Sequence, residues 1–553
     1  MRRGTAVIAT LCCAVLAAAC GSASSTSLTT TSTAGANPAH FVVGGDPATI
    51  RTPDGMVHGT VTSATRQFLG IPFAQPPVGP LRWKAPHPVA PWATTLQATR
   101  ITAECPQIVP IANSYTGTED CLHLNVYAPK AVPTAPRPVM VWIYGGGFTV
   151  GSAADDNVSN FAANNNTVAV SFNYRLGPLG FLALPALAQE DAHHSTGDLG
   201  LLDQQAALRW VQANIASFGG DPHNVTIFGE SAGGISVCAQ LVSPGSAGLF
   251  EKAIIESGPC NLPPQPLATA EAQGAQLGAT LGCPRGPALL ACLREKPPQQ
   301  VIDAMPPDPS FLFGAGAAWS PVADGVTLPT DPTSDLVAGH FHHVPLIVGA
   351  NRNEGTLFVA LHDIVEKNTL TDAQWAAAVD QYFGPTVGPQ VQQEYPLSDY
   401  PDAGAALGQA VGDAVLGCPA VVSANILQKY VPVYEYEFDQ VPNSFILPTT
   451  GIALGAFHSS ELPFVFDGPT ASSGSFTFTP AQQQLATAIS GAWARFAATG
   501  SPAGGGLAWP RLTTSSGTYV SLTTPPSVKT AMMQSHCAFW ARTGWSVANR
   551  ASK

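Results

Sequence analysis

A chain of 553 residues, 45% hydrophobic and only 11% charged, can bury a large core, as one big domain or a few small ones. Soluble domains typically carry about 25% charged residues, and disordered or coiled-coil chains carry many, so both are excluded for most of this length. The net charge of −12 offers no overall attraction to phosphate backbones and argues against a nucleic-acid partner.

The N-terminus reads as a processing segment. Arg2 and Arg3 are followed by a small and apolar run, Thr5–Ala19, too short to span a bilayer. Residues 1–19 are therefore expected to be a signal peptide. The run ends in Ala17-Ala18-Ala19-Cys20-Gly21-Ser22, which resembles the lipobox of bacterial lipoproteins. That resemblance implies lipidation at Cys20, and a lipid anchor there would be the chain's one association with a membrane. Leu16 stands four residues before Cys20 rather than three. Cleavage by ordinary signal peptidase, with release, stays open. Residues 20–40, rich in Ser, Thr and Ala, read as a flexible linker. No other run of about 18 apolar residues stands out.

Residues 41–553 read as one domain with long insertions. Continuous apolar runs recur at Pro138–Ile143, Thr167–Ser171, Asn224–Phe228, Lys252–Glu256 and Val344–Val348. Runs without polar alternation suit strands buried on both faces, as in a parallel sheet. Between them, Asp203–Ile215 places Ala207, Trp210, Val211 and Ile215 on one helical face. Strands alternating with helices predict an α/β sandwich. Of eleven cysteines, three lie in the export segment. The other eight, an even number in an exported chain, suggest disulfides whose pairing stays open, with free buried thiols as the alternative.

Two segments carry chemistry. Tyr144-Gly145-Gly146-Gly147-Phe148 follows the 138–143 strand, and its glycines leave backbone N–H groups unscreened. Gly229-Glu230-Ser231-Ala232-Gly233 follows the 224–228 strand and precedes helix-compatible residues. Gly-x-Ser-x-Gly is weak alone, but strand–turn–helix is the context a nucleophile elbow requires. A serine nucleophile also needs a base and donors for an oxyanion.

Further blocks point the same way. They are Gly70–Trp83, Glu119–Tyr127, Gly200–Gln204 through the elbow, Trp493–Pro502 and Cys537–Trp540. Together they resemble the type-B carboxylesterase family, which includes cholinesterases and bile-salt-activated lipases, over nearly the whole mature chain. The resemblance implies an α/β-hydrolase fold, a large mostly parallel central sheet flanked by helices. It implies a catalytic triad of Ser231, Glu354 and His458. Glu354 lies in Gly349-Ala-Asn-Arg-Asn-Glu354-Gly355, where the family often has Asp at the position of Asn353. That exchange is expected to be silent. His458 lies in Gly455-Ala-Phe-His458-Ser-Ser-Glu461-Leu-Pro-Phe464. Backbone N–H groups of Gly146, Gly147 and Ala232 are implied as the oxyanion hole, with Glu230 and Ser257 in support.

The resemblance also implies Cys105–Cys121, Cys283–Cys292 and Cys418–Cys537 as disulfides. Cys238 and Cys260 remain, as a fourth bridge or as buried thiols. No metal or organic cofactor is expected. The pairs His193–His194 and His342–His343 lack nearby carboxylates or cysteines at metal-binding spacing. The expected partner is a small-molecule or lipid ester. Cholinesterases carry a Trp for the quaternary ammonium in a longer loop matching Cys105–Cys121; here 15 intervening residues include none. Small residues in Ala315–Trp319 suggest room for the acyl group. The reading is a carboxylesterase of short to medium acyl chains. A lipase acting on long-chain lipids is the competitor. An adhesion or solute-binding lipoprotein is the non-catalytic alternative.

Overall fold

The computed structural model describes residues 42–43, 45–109, 112–305, 319–328, 331–443, 451–470 and 477–546. The expected signal peptide (1–19), linker (20–40), Cys20 and the acyl-side segment 315–318 lie outside the described residues.

The apolar runs form the middle of an eleven-stranded sheet. Seven neighbouring strands are parallel, in the order Thr518–Leu522, Val433–Phe438, Leu346–Asn351, Lys252–Glu256, Gly220–Glu230, Arg137–Ile143 and Val168–Phe172. Antiparallel strands complete both edges, Ser527–Thr530 on one side and His123–Pro129, Thr65–Pro72 and Thr60–Val61 on the other. Val168–Phe172 and Leu346–Asn351 are buried throughout, as uninterrupted apolar runs demand. The helix predicted at 203–215 runs over Leu199–Asn214.

The strand Val433–Phe438, sequence VYEYEF, was not among the predicted strands. Its alternation of glutamate with apolar residues imitates a half-exposed strand. The strand instead lies inside the sheet, between parallel neighbours, and both Glu435 and Glu437 are buried. Burial pushes the Glu435 carboxyl up to about 8.

Between Leu346–Asn351 and Val433–Phe438 lies a helical insertion: Thr356–Glu366, Asp372–Phe383, Gly388–Glu394, Ala403–Gly412 and Cys418–Leu427, the last two joined by a π-turn, Asp413–Gly417. It has its own apolar core around Trp375, Tyr382, Phe383, Tyr395 and Trp540. Ala403–Leu427 is long and apolar enough to cross a membrane, whereas no such run was expected beyond the N-terminus. Its most apolar stretch is 67% buried within the protein, the placement of a core helix.

Four disulfides are formed, Cys105–Cys121, Cys238–Cys260, Cys283–Cys292 and Cys418–Cys537. All eight cysteines of the body are paired, and Cys238 and Cys260 are bonded to each other.

Candidate active site

The strand Gly220–Glu230 leads straight into Ser231, and the helix Ala232–Val242 begins at the next residue. Ser231 has φ 56° and ψ −123°, a conformation costly for a residue with a Cβ. Close packing holds it there. A Cβ on Gly233 would collide with the carbonyl oxygen of Ile143, so strand and helix meet only because this residue is glycine. The Ser231 N–H donates to the Glu256 carbonyl, 2.9 Å away. The elbow is thereby tied to the neighbouring strand.

The glycine loop after Ile143 lies against the elbow. A Cβ on Gly145 would stand 2.9 Å from Ser231 Cβ. Gly146 and Gly147 have φ of 98° and 60°. Among the described residues no acceptor engages the N–H of either one. Ala232 is the first residue of its helix, so its N–H has no partner within that helix. The glycine loop and the start of this helix thus carry backbone donors without internal acceptors close to the elbow, and the helix N-terminus adds positive potential at Ser231.

The acid and the histidine arrive on separate loops. Glu354 follows the end of Leu346–Asn351 and accepts the Asn351 N–H at Oε1 (2.7 Å). Its Oε2 lies 2.6 Å from His458 Nδ1. Both side chains are buried, 1% and 4% exposed, so their pairing is not weakened by solvent. Phe358 packs on the imidazole with centroids 4.9 Å apart. The structure therefore joins Glu354 to His458. It does not join His458 to Ser231 by a hydrogen bond, since His458 Nε2 has no such partner. Nε2 lies 3.0 Å from Glu230 Oε1 instead, in ion-pair range but without hydrogen-bond alignment. Hydrogen bonds to a nucleophile are often long or misaligned before substrate binds.

The electrostatics follow from burial. Burial pulls the His458 imidazole down, but the Glu230 and Glu354 carboxylates overcome it and hold the group up at about 9. Burial pushes Glu230 up, opposed by His458 and by a hydrogen bond from Ser459 Oγ (2.7 Å). Behind them stand three carboxyls the sequence reading assigned no role. Burial raises Asp156 and Glu256 each to about 8 and Glu461 well above the usual range. Trp142 Nε1 donates to Asp156, Trp493 Nε1 donates to Glu256 (both 3.1 Å), and Asn351 donates to Glu461. A glutamate closing the apolar run Lys252–Glu256 was the readable signal for one of them. Ser257 next to it is fully buried, and its Oγ lacks a hydrogen-bond partner.

Among the described residues no three His, Cys, Asp or Glu side chains cluster as a metal site. His342 and His343 instead contact backbone carbonyls of Ser243 and Gly339 (2.8 and 3.0 Å).

A family model described as the carboxylesterase family matches residues 46–540. Among similar proteins, the para-nitrobenzyl esterase of Bacillus subtilis (strain 168) is 37% identical over 474 residues, spanning 83% of this chain and 92% of that one. The acetylcholinesterase of Bungarus fasciatus is 36% identical over 514 residues (86% and 82%), and the cocaine esterase of Homo sapiens 36% over 507 (87% and 87%). A solved structure of a PNB esterase, 33% identical, aligns with a TM-score of 0.74 over 90% of this chain and 100% of that one. The fold is that of an α/β-hydrolase.

Proposed function

The chain belongs to the carboxylesterase family and is a carboxylic ester hydrolase, and we propose that it works through an acyl-enzyme on Ser231 with short to medium acyl esters. The observation that carries this reading is the buried Glu354–His458 hydrogen bond (2.6 Å) beside a strained serine elbow.

Ser231 Oγ attacks the ester carbonyl while His458 Nε2 takes its proton. Glu354 accepts the hydrogen bond from His458 Nδ1–H and stabilises the imidazolium. The N–H groups of Gly146, Gly147 and Ala232 receive the oxyanion. Collapse of the tetrahedral intermediate breaks the bond to the alcohol, which leaves with the proton from His458. Water then gives a proton to the same imidazole and attacks the acyl carbonyl; the second tetrahedral intermediate collapses, the acid leaves, and His458 returns the proton to Ser231 Oγ. The ring must move its Nε2 from Glu230 into line with Ser231 for the first step.

The short loop between Cys105 and Cys121 holds a small hairpin, Gln107–Val109 with Ser114–Thr116, and no Trp. That supports neutral esters over quaternary ammonium ones. Export is part of the same proposal, supported by four disulfides, which persist outside the reducing cytosol. Cys20 would supply the lipid anchor if the protein is retained at the membrane.

The test is hydrolysis of p-nitrophenyl esters from acetate to palmitate, by the mature protein and its Ser231→Ala variant. Turnover peaking at short or medium chains, lost in the variant, is the expected result. A maximum at palmitate makes the protein a lipase. A folded protein inert to every ester returns the binding and adhesion readings.

A further inference from the structure

Glu354 and His458 come from different loops, so something must hold the two loops in register. Asn353 stands between them. Its N–H donates to the Ala456 carbonyl and its Oδ1 accepts the Ala456 N–H, both at 2.9 Å. Ala456 lies two residues before His458. The fit is close: a Cβ on Gly455 would collide with Asn353 Oδ1. Asn351 makes a second tie, donating from Nδ2 to the Phe457 carbonyl at 2.7 Å.

The orientation of the Asn353 amide is fixed from its other end. With Oδ1 committed to Ala456, Nδ2 points away and donates to Gln409 Oε1 (2.8 Å). Gln409 Nε2 donates to Asp413 Oδ1 (2.7 Å) and to the Arg352 carbonyl (2.9 Å). Asp413 is fully buried at the start of the π-turn. Its carboxylate only accepts. It accepts a hydrogen bond from the Tyr395 hydroxyl (2.9 Å) and meets His536 Nδ1 (2.6 Å). His536 adjoins the Cys418–Cys537 bridge and opens onto a polar cavity of about 590 Å³. The donor–acceptor order is therefore set from Asp413 inward, through Gln409, to Asn353 and the histidine loop.

We propose that Asn353 is a positioning residue that clamps the acid loop to the histidine loop, and that Asp413, acting through Gln409, dictates that this residue be Asn and not Asp. The proposal rests on the triad reading of Glu354 and His458. An Asp at 353 would set an oxygen against Gln409 Oε1. Turning the Gln409 amide over relieves that contact but faces its oxygen to Asp413 and to the Arg352 carbonyl. Two acceptors oppose each other either way. Replacing Asp413 by Asn lets the reversed Gln409 accept from the new amide, which removes one of the two opposed contacts and leaves only that with the Arg352 carbonyl, so the recovery is partial.

The experiment is steady-state kinetics of the full-length mature protein, comparing wild type, Asn353→Asp, Asp413→Asn and the double variant. Opposed acceptors at this half-buried contact, which lines the same polar cavity as His536, disturb the register felt by the reacting proton, so Asn353→Asp is expected to lower kcat about tenfold and leave KM within about twofold. The double variant is expected to recover at least about threefold over Asn353→Asp. Wild-type kcat in Asn353→Asp, a loss carried by KM, or no recovery in the double variant overturns the proposal. If Asn353→Asp does not fold, Gln409→Met takes its place. It removes the relay at similar volume and is expected to lose kcat alone, and wild-type kcat there overturns the proposal. Ser231→Ala, run alongside, separates the two readings: an active Ser231→Ala enzyme removes the triad itself, whatever happens at Asn353.

Discussion

His458 has a carboxylate at each ring nitrogen, Glu354 at Nδ1 and Glu230 at Nε2. Both favour the imidazolium, and together they lift the group to about 9 despite burial. The base form of the ring is neutral, so activity should rise with pH through that titration. Removing the Glu230 charge lowers the imidazole's pKa. The acid limb of kcat/KM in Glu230→Gln should therefore move to lower pH, because this limb reports the free enzyme. A limb that stays in place or moves upward means Glu230 does not govern the base. The family motifs singled out Ser231, Glu354 and His458 in the sequence, and of these the structure joins Glu354 to His458. The contact from Glu230 to Nε2 was not readable. It depends on how a buried glutamate side chain is aimed, and no residue pattern encodes that.

At the scale of elements, the elbow depends on helix and strand touching through glycine. Gly233→Ala forces its new methyl group into the Ile143 carbonyl. Backbone cannot swing away as a side chain can, so the expected loss is at least about 1–3 kcal/mol, the range for overpacking. Urea unfolding measures it directly. Wild-type stability in that variant would mean the elbow is looser than described. The uninterrupted apolar strands were legible with small shifts at their ends, since burial on both faces leaves no polar alternation. Lys252–Glu256 appears with the predicted bounds, and Asn224–Phe228 extends to Gly220–Glu230. The strand Val433–Phe438 was lost because Glu435 and Glu437 sit in positions that usually face water. Its central place in the sheet comes from partners far away in sequence, Leu346–Asn351 and Thr518–Leu522.

For the whole molecule, buried acids set how stability depends on pH. Burial raises Asp156, Glu256 and Glu435 each to about 8, and the Glu230 and Glu354 carboxylates raise His458 to about 9 against its burial. Each group titrates higher in the folded chain than in the unfolded one. The folded state thus holds protons that the unfolded state releases, and stability falls as pH rises through roughly 4 to 9. The urea midpoint should be higher at pH 5.5 than at pH 8.5. The opposite order would mean these carboxyls are ionised in the folded protein. At this scale the α/β architecture was legible from alternating strands and helices. The separate core of the helical insertion was not, because its packing joins residues as distant as Trp375 and Trp540.

The central claim is covalent catalysis at Ser231, and trapping the acyl group tests it most directly. The mature enzyme would be mixed with excess p-nitrophenyl butyrate, quenched in acid within milliseconds, digested and read by mass spectrometry. The account predicts a butyryl mass on the peptide containing Ser231, assigned to that residue by fragmentation and lost in Ser231→Ala. An acyl group on Ser257, or rapid turnover with no acyl-serine at any quench time, would contradict it.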